Sequence, residues 1–378
     1  MATIHHCMVC GNDTSTRCNG CIQGLDVSLD PAPTFYCSKD CQVTDWKNHK
    51  TNCKLANDRK VLKRAGDLLL DTFCDIRKAA FDINVVKVEV QGDKLHVWEV
   101  EYETNEMLVD FPKDLFATEN DARTMLTWWA CSDAMSTMIV MVTSAVKGQS
   151  RPPRRSRSLK LTGTDIFSSI FEVNLDVERH MSRVVMHNSP KSQLSVVHQL
   201  FRITLRDGET YALDLTGSQY GQHKPVVPWK HCMKILDAKV NKSLPFGTEA
   251  GRREAGHKKL LYNPAGLDRQ NLIYIAHDWL ASLFKHALMT QSVLDKDVGL
   301  AALLSGTDAC IAKASNVAKF AVADLKPLAE FIRSWREITC MPDKMVEMYL
   351  HVRAHLPEGE DLQTALHAEL AKLIARLS

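Results

Sequence analysis

The sequence shows no excess of charge of either sign. Its 378 residues set 47 Lys and Arg against 45 Asp and Glu, a net charge of +2. A global electrostatic pull toward nucleic acid or an anionic membrane is therefore not expected. Long apolar runs are also missing. The nearest, Met125 to Val146, carries Asp133 and several Ser and Thr, and reads as a buried helix rather than a membrane span. The opening MATIHHCMVCG has no apolar h-region, so nothing suggests secretion, and a disulfide framework is the weaker reading of the cysteines. A glycine-rich cofactor loop is likewise absent. What is left, 45% hydrophobic and 24% charged, is ordinary for a globular chain with room for two or three domains.

What the sequence does have is a ladder of soft ligands. It reads Cys7-x2-Cys10-x7-Cys18-x2-Cys21-x15-Cys37-x3-Cys41-x7-His49-x3-Cys53. Seven of the 12 cysteines stand in this segment. Eight ligands in four short-spaced pairs is the count for two tetrahedral zinc ions per chain. A C-x2-C pair reaches one metal from a tight turn; the pairs Cys37/Cys41 and His49/Cys53 do so from one face of a helix. About fifty residues bury too little apolar surface to fold alone, so the metal would supply the folding free energy. With every position on each ion filled by protein, these are structural zincs. Thiols kept as ligands imply a reducing compartment, nucleus or cytoplasm.

The residues between the ligands narrow the reading. Tyr36-Cys37-Ser38, then Cys41-Gln42, Trp46, His49-Lys50 and Cys53 closely resemble the MYND zinc finger. The resemblance implies a cross-braced fold, in which Cys7, Cys10, Cys37 and Cys41 share one zinc and Cys18, Cys21, His49 and Cys53 share the other. It also implies a shallow groove for short proline-containing peptides, contacted by Gln42 and Trp46. A flat indole is a low-entropy platform for proline rings. One departure is the long gap Ile22 to Tyr36, which holds Pro31 and Pro33 and touches no ligand. The finger mixes Lys and Arg with Asp, which does not suit sequence-specific nucleic-acid reading. Some MYND proteins are SET-type methyltransferases with the finger inside the catalytic domain. With the finger opening at Cys7, no SET half is expected before it, and Met186-His187-Asn188-Ser189-Pro190 has the wrong order for that family's motif.

The expected fold is α+β, with a small double-zinc finger, a mixed body and a helical C-terminal region, a layout similar to fungal MYND-finger proteins with a long uncharacterised body. The expected units are the finger over 1–56, a helix, hairpin and helix over 57–146, a basic linker over 147–160, a β-rich part over 161–265 and helices over 266–378. Leu62, Ala65, Leu68, Leu69, Phe73 and Ile76 recur at helical spacing within 57–81. Val85 to Val100 reads as a hairpin around Gly92, and 194–215 as a second around Gly208. One helix is expected over 119–146. Arg252, Arg253, His257, Lys258 and Lys259 read as a solvated loop. Helices are expected over 298–312, 318–335, 345–354 and 362–377.

A competing function lies in the body. Cys131 follows Trp128-Trp129-Ala130, His198 sits on a predicted strand, and Asp214 ends the next as Asp214-Leu215-Thr216. Cysteine, then histidine, then aspartate in that order is similar to papain-like and transglutaminase-like proteins. That resemblance implies a cysteine enzyme, with a thiolate polarised by an imidazole that the carboxylate orients, or an inactive relative on the same scaffold. The plainer expectation is a zinc-dependent interaction protein, a regulatory adaptor that is not an enzyme.

Overall fold

The computed structural model describes residues 4–18, 34–100, 108–147, 167–188, 197–262, 269–290 and 300–323, with a few single positions beyond. The linker at 148–160 and the helices expected over 345–354 and 362–377 lie outside them.

In chain order the elements begin with two short strands, β1 (His5–His6) and β2 (Asp13–Thr14), which pair antiparallel. Helix α1 (Lys39–Ala79) follows, then β3 (Val85–Gln91) and β4 (Lys94–Glu99). Three short helices come next, α2 (Glu119–Thr127), α3 (Cys131–Thr137) and α4 (Ile139–Lys147). The central part holds β5 (Phe167–Asp176), β6 (Val184–His187), β7 (Val197–Leu205), β8 (Thr210–Leu213) and β9 (Val226–Pro228), then α5 (Trp229–Ile235) and β10 (Lys239–Pro245). Helices α6 (Thr248–Tyr262), α7 (Arg269–Thr290), α8 (Leu300–Ser305) and α9 (Asp308–Ala323) complete the described chain.

Helix α1 is 41 residues long. Its start is set by Ser38, whose Oγ accepts from the Cys41 N–H at 3.2 Å. No Pro interrupts it, and Arg77 and Lys78 in its last turn suit the negative end of the helix. The boundary expected at 56/57 falls inside this helix. All six apolar positions named above are buried, with Leu62, Leu69 and Phe73 fully enclosed.

Two sheets flank the helix. One has the order β10-β5-β7-β8-β9 and is antiparallel throughout; the other has the order β3-β4-β6, with β4 and β6 parallel. The larger sheet alternates as a two-sided sheet must. Phe201, Ile203, Leu205, Tyr211 and Leu213 join the main core with α1, whereas Val173, Leu175, Leu200 and Ala212 pack with Cys232 of α5 and Leu236 just past its end. Helix α1 approaches β9 closely at Gly66. A Cβ there would lie 2.4 Å from Val226 Cγ2 and 3.3 Å from Pro225 Cγ.

Several expectations needed correction. The helix over 119–146 is three helices, because Trp129 takes a φ of 57° and turns the chain between α2 and α3. The basic cluster at 252–259 is helical, not a loop. Arg253 is drawn inward to the carboxylates of Asp133 on α3 and Asp278 on α7. The helix expected over 298–312 is broken at Gly306-Thr307 between α8 and α9; of the one expected over 318–335, residues 318–323 belong to α9 and most of the rest lie outside the described residues. Asp133 is the hub of a buried charge cluster. It also meets Arg77 at 3.3 Å and His277 at 3.5 Å, so one carboxylate ties α1, α3, α6 and α7 together. Burial would raise its pKa, but Arg253, His277 and Arg77 outweigh that and hold it well below the usual carboxylate range.

Two predictions follow from this packing. Gly66→Ala gains about 1 kcal/mol of helix propensity but overpacks the α1–β9 contact at a typical cost of about 1–3 kcal/mol. Urea unfolding should show a net loss; a net gain would mean the helix relaxes off the sheet freely. Asp133→Asn leaves buried cations uncompensated and should cost about 3 kcal/mol or more. Because the folded pKa is depressed, the stability Asp133 provides is present above the unfolded carboxylate pKa. It is lost as pH falls below that value, so acid denaturation of the variant should be shallower than that of the parent.

Candidate metal centre and a buried thiol site

The N-terminal ligands fall into two groups. The ligand atoms of Cys7, Cys10, Cys37 and Cys41 all lie within 4.8 Å of one another, and so do those of Cys18, His49 and Cys53. In the first group the Sγ–Sγ distances are 3.3 Å for Cys10–Cys37, 3.5 Å for Cys37–Cys41 and 3.9 Å for Cys41–Cys10. In the second, Cys18 and Cys53 are 3.7 Å apart. These are too long for disulfides, whose sulfurs sit about 2.05 Å apart, and none of the described cysteines is in a disulfide. They match the edge of a tetrahedron of sulfurs around zinc, about 3.8 Å for a Zn–S bond of about 2.3 Å. The donor set therefore fits zinc. Cys21 lies outside the described residues.

The grouping interleaves the ladder, the first pair with the third and Cys18 with the fourth. Local structure makes this possible. Cys7 and Cys10 flank a turn closed by Gly11 N–H donating to Cys7 O at 3.0 Å. The Cys18 N–H donates to Thr34 O, and the Tyr36 N–H to Thr16 O, which lays Cys18 beside the stretch that leads into Cys37. Cys41, His49 and Cys53 are all carried by α1. Zinc binding requires these thiols to give up their protons, so metal affinity at the site depends on pH.

The two residues expected at a peptide groove sit differently. Gln42 Nε2 donates to Cys18 Sγ at 3.2 Å, orienting a ligand and easing its charge. Trp46 is 43% exposed, with its ring centroid 6.3 Å from that of the ligand His49. His5 stacks on Phe35 at 3.8 Å, and His6 meets Asp13 at 3.1 Å.

Known proteins agree with this geometry over the same stretch. The MYND finger family matches residues 7–53. The chain carries a MYND finger. Tudor domain-containing protein 1 of Oryzias latipes is 42% identical over 52 residues, 14% of this chain and 4% of that relative. The chain thus spans a small fraction of the curated relative it matches. No solved structure matches it. A MYND finger is a zinc-binding, protein-interaction module, and this one presents two ligand groups for two ions. Among the described residues no helix is long and apolar enough to cross a membrane.

The structure also brings Cys131, His198 and Asp214 together. Cys131 opens α3, directly after the turn at Trp129. Its Sγ lies 3.3 Å from His198 Nδ1 on β7, and His198 Nε2 lies 2.7 Å from Asp214 Oδ2, just past β8. The other oxygen of Asp214 accepts from the Thr216 N–H at 2.9 Å. Gly217 is needed here, since a Cβ would sit 2.8 Å from Asp214 Oδ2. All three side chains are buried. Burial alone raises a thiol, as at Cys74, which is pushed up to about 12. At Cys131 burial also acts upward, but the charge and hydrogen bond of His198 overcome it and the pKa falls. Burial would lower the His198 pKa; Asp214 and Cys131 instead raise it to about 10. Both shifts point the same way, favouring the proton on the imidazole over the sulfur.

Sequence reasoning missed Gln219. Its Nε2 donates to Cys131 Sγ at 3.3 Å and to Thr216 O at 3.1 Å. Its Oε1 accepts from the Trp129 N–H at 3.4 Å. Its place three residues past Thr216, on the turn Gly217–Tyr220, was the only available signal.

The metal count is directly measurable. Native against acid-denatured mass spectrometry should give two zincs per chain, falling on Cys53→Ser. One or none in the parent would mean that the two groups do not both bind metal.

Proposed function

We propose that this protein is a regulatory adaptor of the nucleus or cytoplasm that recruits partners through short proline-containing segments docked on its finger. In this reading the finger over 1–56 selects the partner and the body over 57–378 carries the regulated function. Cys21 completes the second zinc site beside Cys18, His49 and Cys53. The observation that carries the proposal is the exposed indole of Trp46, one turn along α1 from Val43, which is itself 65% exposed. Two large apolar side chains on the solvent face of a helix, held rigid by an adjacent zinc ligand, form a small preorganised platform. Such a platform binds at low entropic cost, and proline-rich segments in extended form suit flat aromatic surfaces. Trp46 is the stronger half of the site, because Gln42 already commits its amide to Cys18.

The test is titration of the zinc-loaded protein with proline-containing peptides, read by fluorescence anisotropy. Trp46→Ala should weaken binding about tenfold or more, the worth of a buried aromatic anchor, while zinc stays at the parent level. Unchanged affinity with zinc retained would rule the platform out.

A further inference from the structure

We infer that Cys131, His198, Asp214 and Gln219 form a second functional site, independent of the finger, at which the Cys131 sulfur takes an uncharged acyl group from an ester or amide as a thioester. The geometry meets the requirement for an activated nucleophile: sulfur and base in hydrogen-bond reach, and the base oriented by a third group. Asp214 holds Nε2, so Nδ1 is the nitrogen that faces the sulfur. Asp214 is itself fixed by the Thr216 N–H and Oγ1, and the turn that does this fits only with glycine at 217. A plain structural histidine does not call for this chain of partners.

The step balances without an outside oxidant or reductant. The thiolate attacks the carbonyl carbon, a C–S bond forms and the π pair moves to oxygen. The Gln219 amide, already against the sulfur, is placed to donate to that oxyanion. Collapse breaks the bond to the amine or alcohol, which leaves with the proton from His198 Nδ1. Water then gives its proton to Nδ1 and attacks the thioester. The C–S bond breaks with its electrons on sulfur, the acid is released and the thiolate–imidazolium pair is restored. Among the described residues, the side chains that hydrogen-bond to the triad or meet its imidazole ring are uncharged: Thr216, Gln219 and Tyr220, whose ring meets that of His198 edge-on at 4.9 Å. An uncharged acyl group suits these walls. Cys131 is only 5% exposed. Tyr220 and Gln219 share one turn, so a swing of Tyr220 uncovers the imidazole from the same segment that carries the amide.

The experiment uses the full zinc-loaded chain and p-nitrophenyl acetate, with peptide mass spectrometry at Cys131 and nitrophenolate release as readouts. The chain should acquire an acetyl group at Cys131 at neutral pH, and Cys131→Ala should remove it. His198→Gln should slow acetylation about a hundredfold or more. The remaining rate should keep rising with pH beyond the ordinary thiol pKa of about 8.5, because burial then acts on the sulfur unopposed, whereas the parent rate is flat. Tyr220→Ala, which removes the ring against His198 without touching the sulfur, should acetylate faster than the parent. Absence of acetyl at Cys131 in both the parent and Tyr220→Ala would overturn the inference. So would equal rates and pH profiles for the parent and His198→Gln.

Discussion

Helix α1 carries metal ligands at one end and the body's core at the other, and both depend on its being one unbroken helix. Cys41, His49 and Cys53 project from about its first four turns. Val61, Leu62, Leu69 and Phe73 fill the centre of the body from the later turns. The ligand-bearing turns are polar and mostly exposed, and a helix of that length and composition is marginal alone in water. Zinc, at roughly ten kcal/mol per site, is the term large enough to hold them. The later turns need no metal, because apolar burial at about 25 cal/mol per Å² does the same work. Two different forces thus act on a single backbone.

The same residue type behaves in opposite ways in the two thiol sites. In the finger, four sulfurs converge with no base near them and a cation is needed to reconcile them. Once it is bound, every coordination position is filled and the site has no chemistry left to do. In the body a single sulfur meets an imidazole, which supplies the compensating charge itself. Cys74 and Cys232 give the contrast. Both are buried among apolar neighbours, burial raises both thiols, and they remain inert core. Burying a thiolate at Cys131 is tolerable only because His198, the Gln219 amide and the Thr216 donors surround the two anions with protons.

The finger was legible because ligand spacing is a local property. The ladder and the MYND-like residues between its rungs lie within one short stretch. The buried face of α1 and the hairpins around Gly92 and Gly208 were legible for the same reason, since a period of 3.6 or 2 is written in neighbouring residues. Helix α6 was not. Its sequence, TEAGRREAGHKKLLY, has two glycines and a run of charges, and what orders it comes from elsewhere in the chain. Glu172 accepts from the Gly247 and Glu249 N–H groups, and Asp133 and Asp278 draw in Arg253. Strand β5 resisted reading because its sequence, FSSIFEVNLD, places Glu172 at a buried position and its register shifts between Phe167 and Ser169, which breaks the alternation. The triad was legible in its order but not in its assembly. The turn at Trp129 that starts α3 at Cys131 rests on a left-handed residue that no sequence pattern announces.

The close contact at Gly66 sets how the two sites relate. Val226 and Pro225 lie against it, and Pro225 O accepts from the Asp214 N–H at 2.8 Å. Helix α1 therefore touches the backbone segment that positions the triad's carboxylate. A helix transmits displacement along its axis well but does not transmit fraying, because unfolding from one end stops where packing begins. Loss of metal frees the exposed turns before Ala56, while Leu62, Ala65 and Leu69, all fully enclosed, hold the helix against the sheet. Leu62 and Ala65 thus stand between the metal-held end of α1 and the contact at Gly66 that seats the segment carrying Asp214.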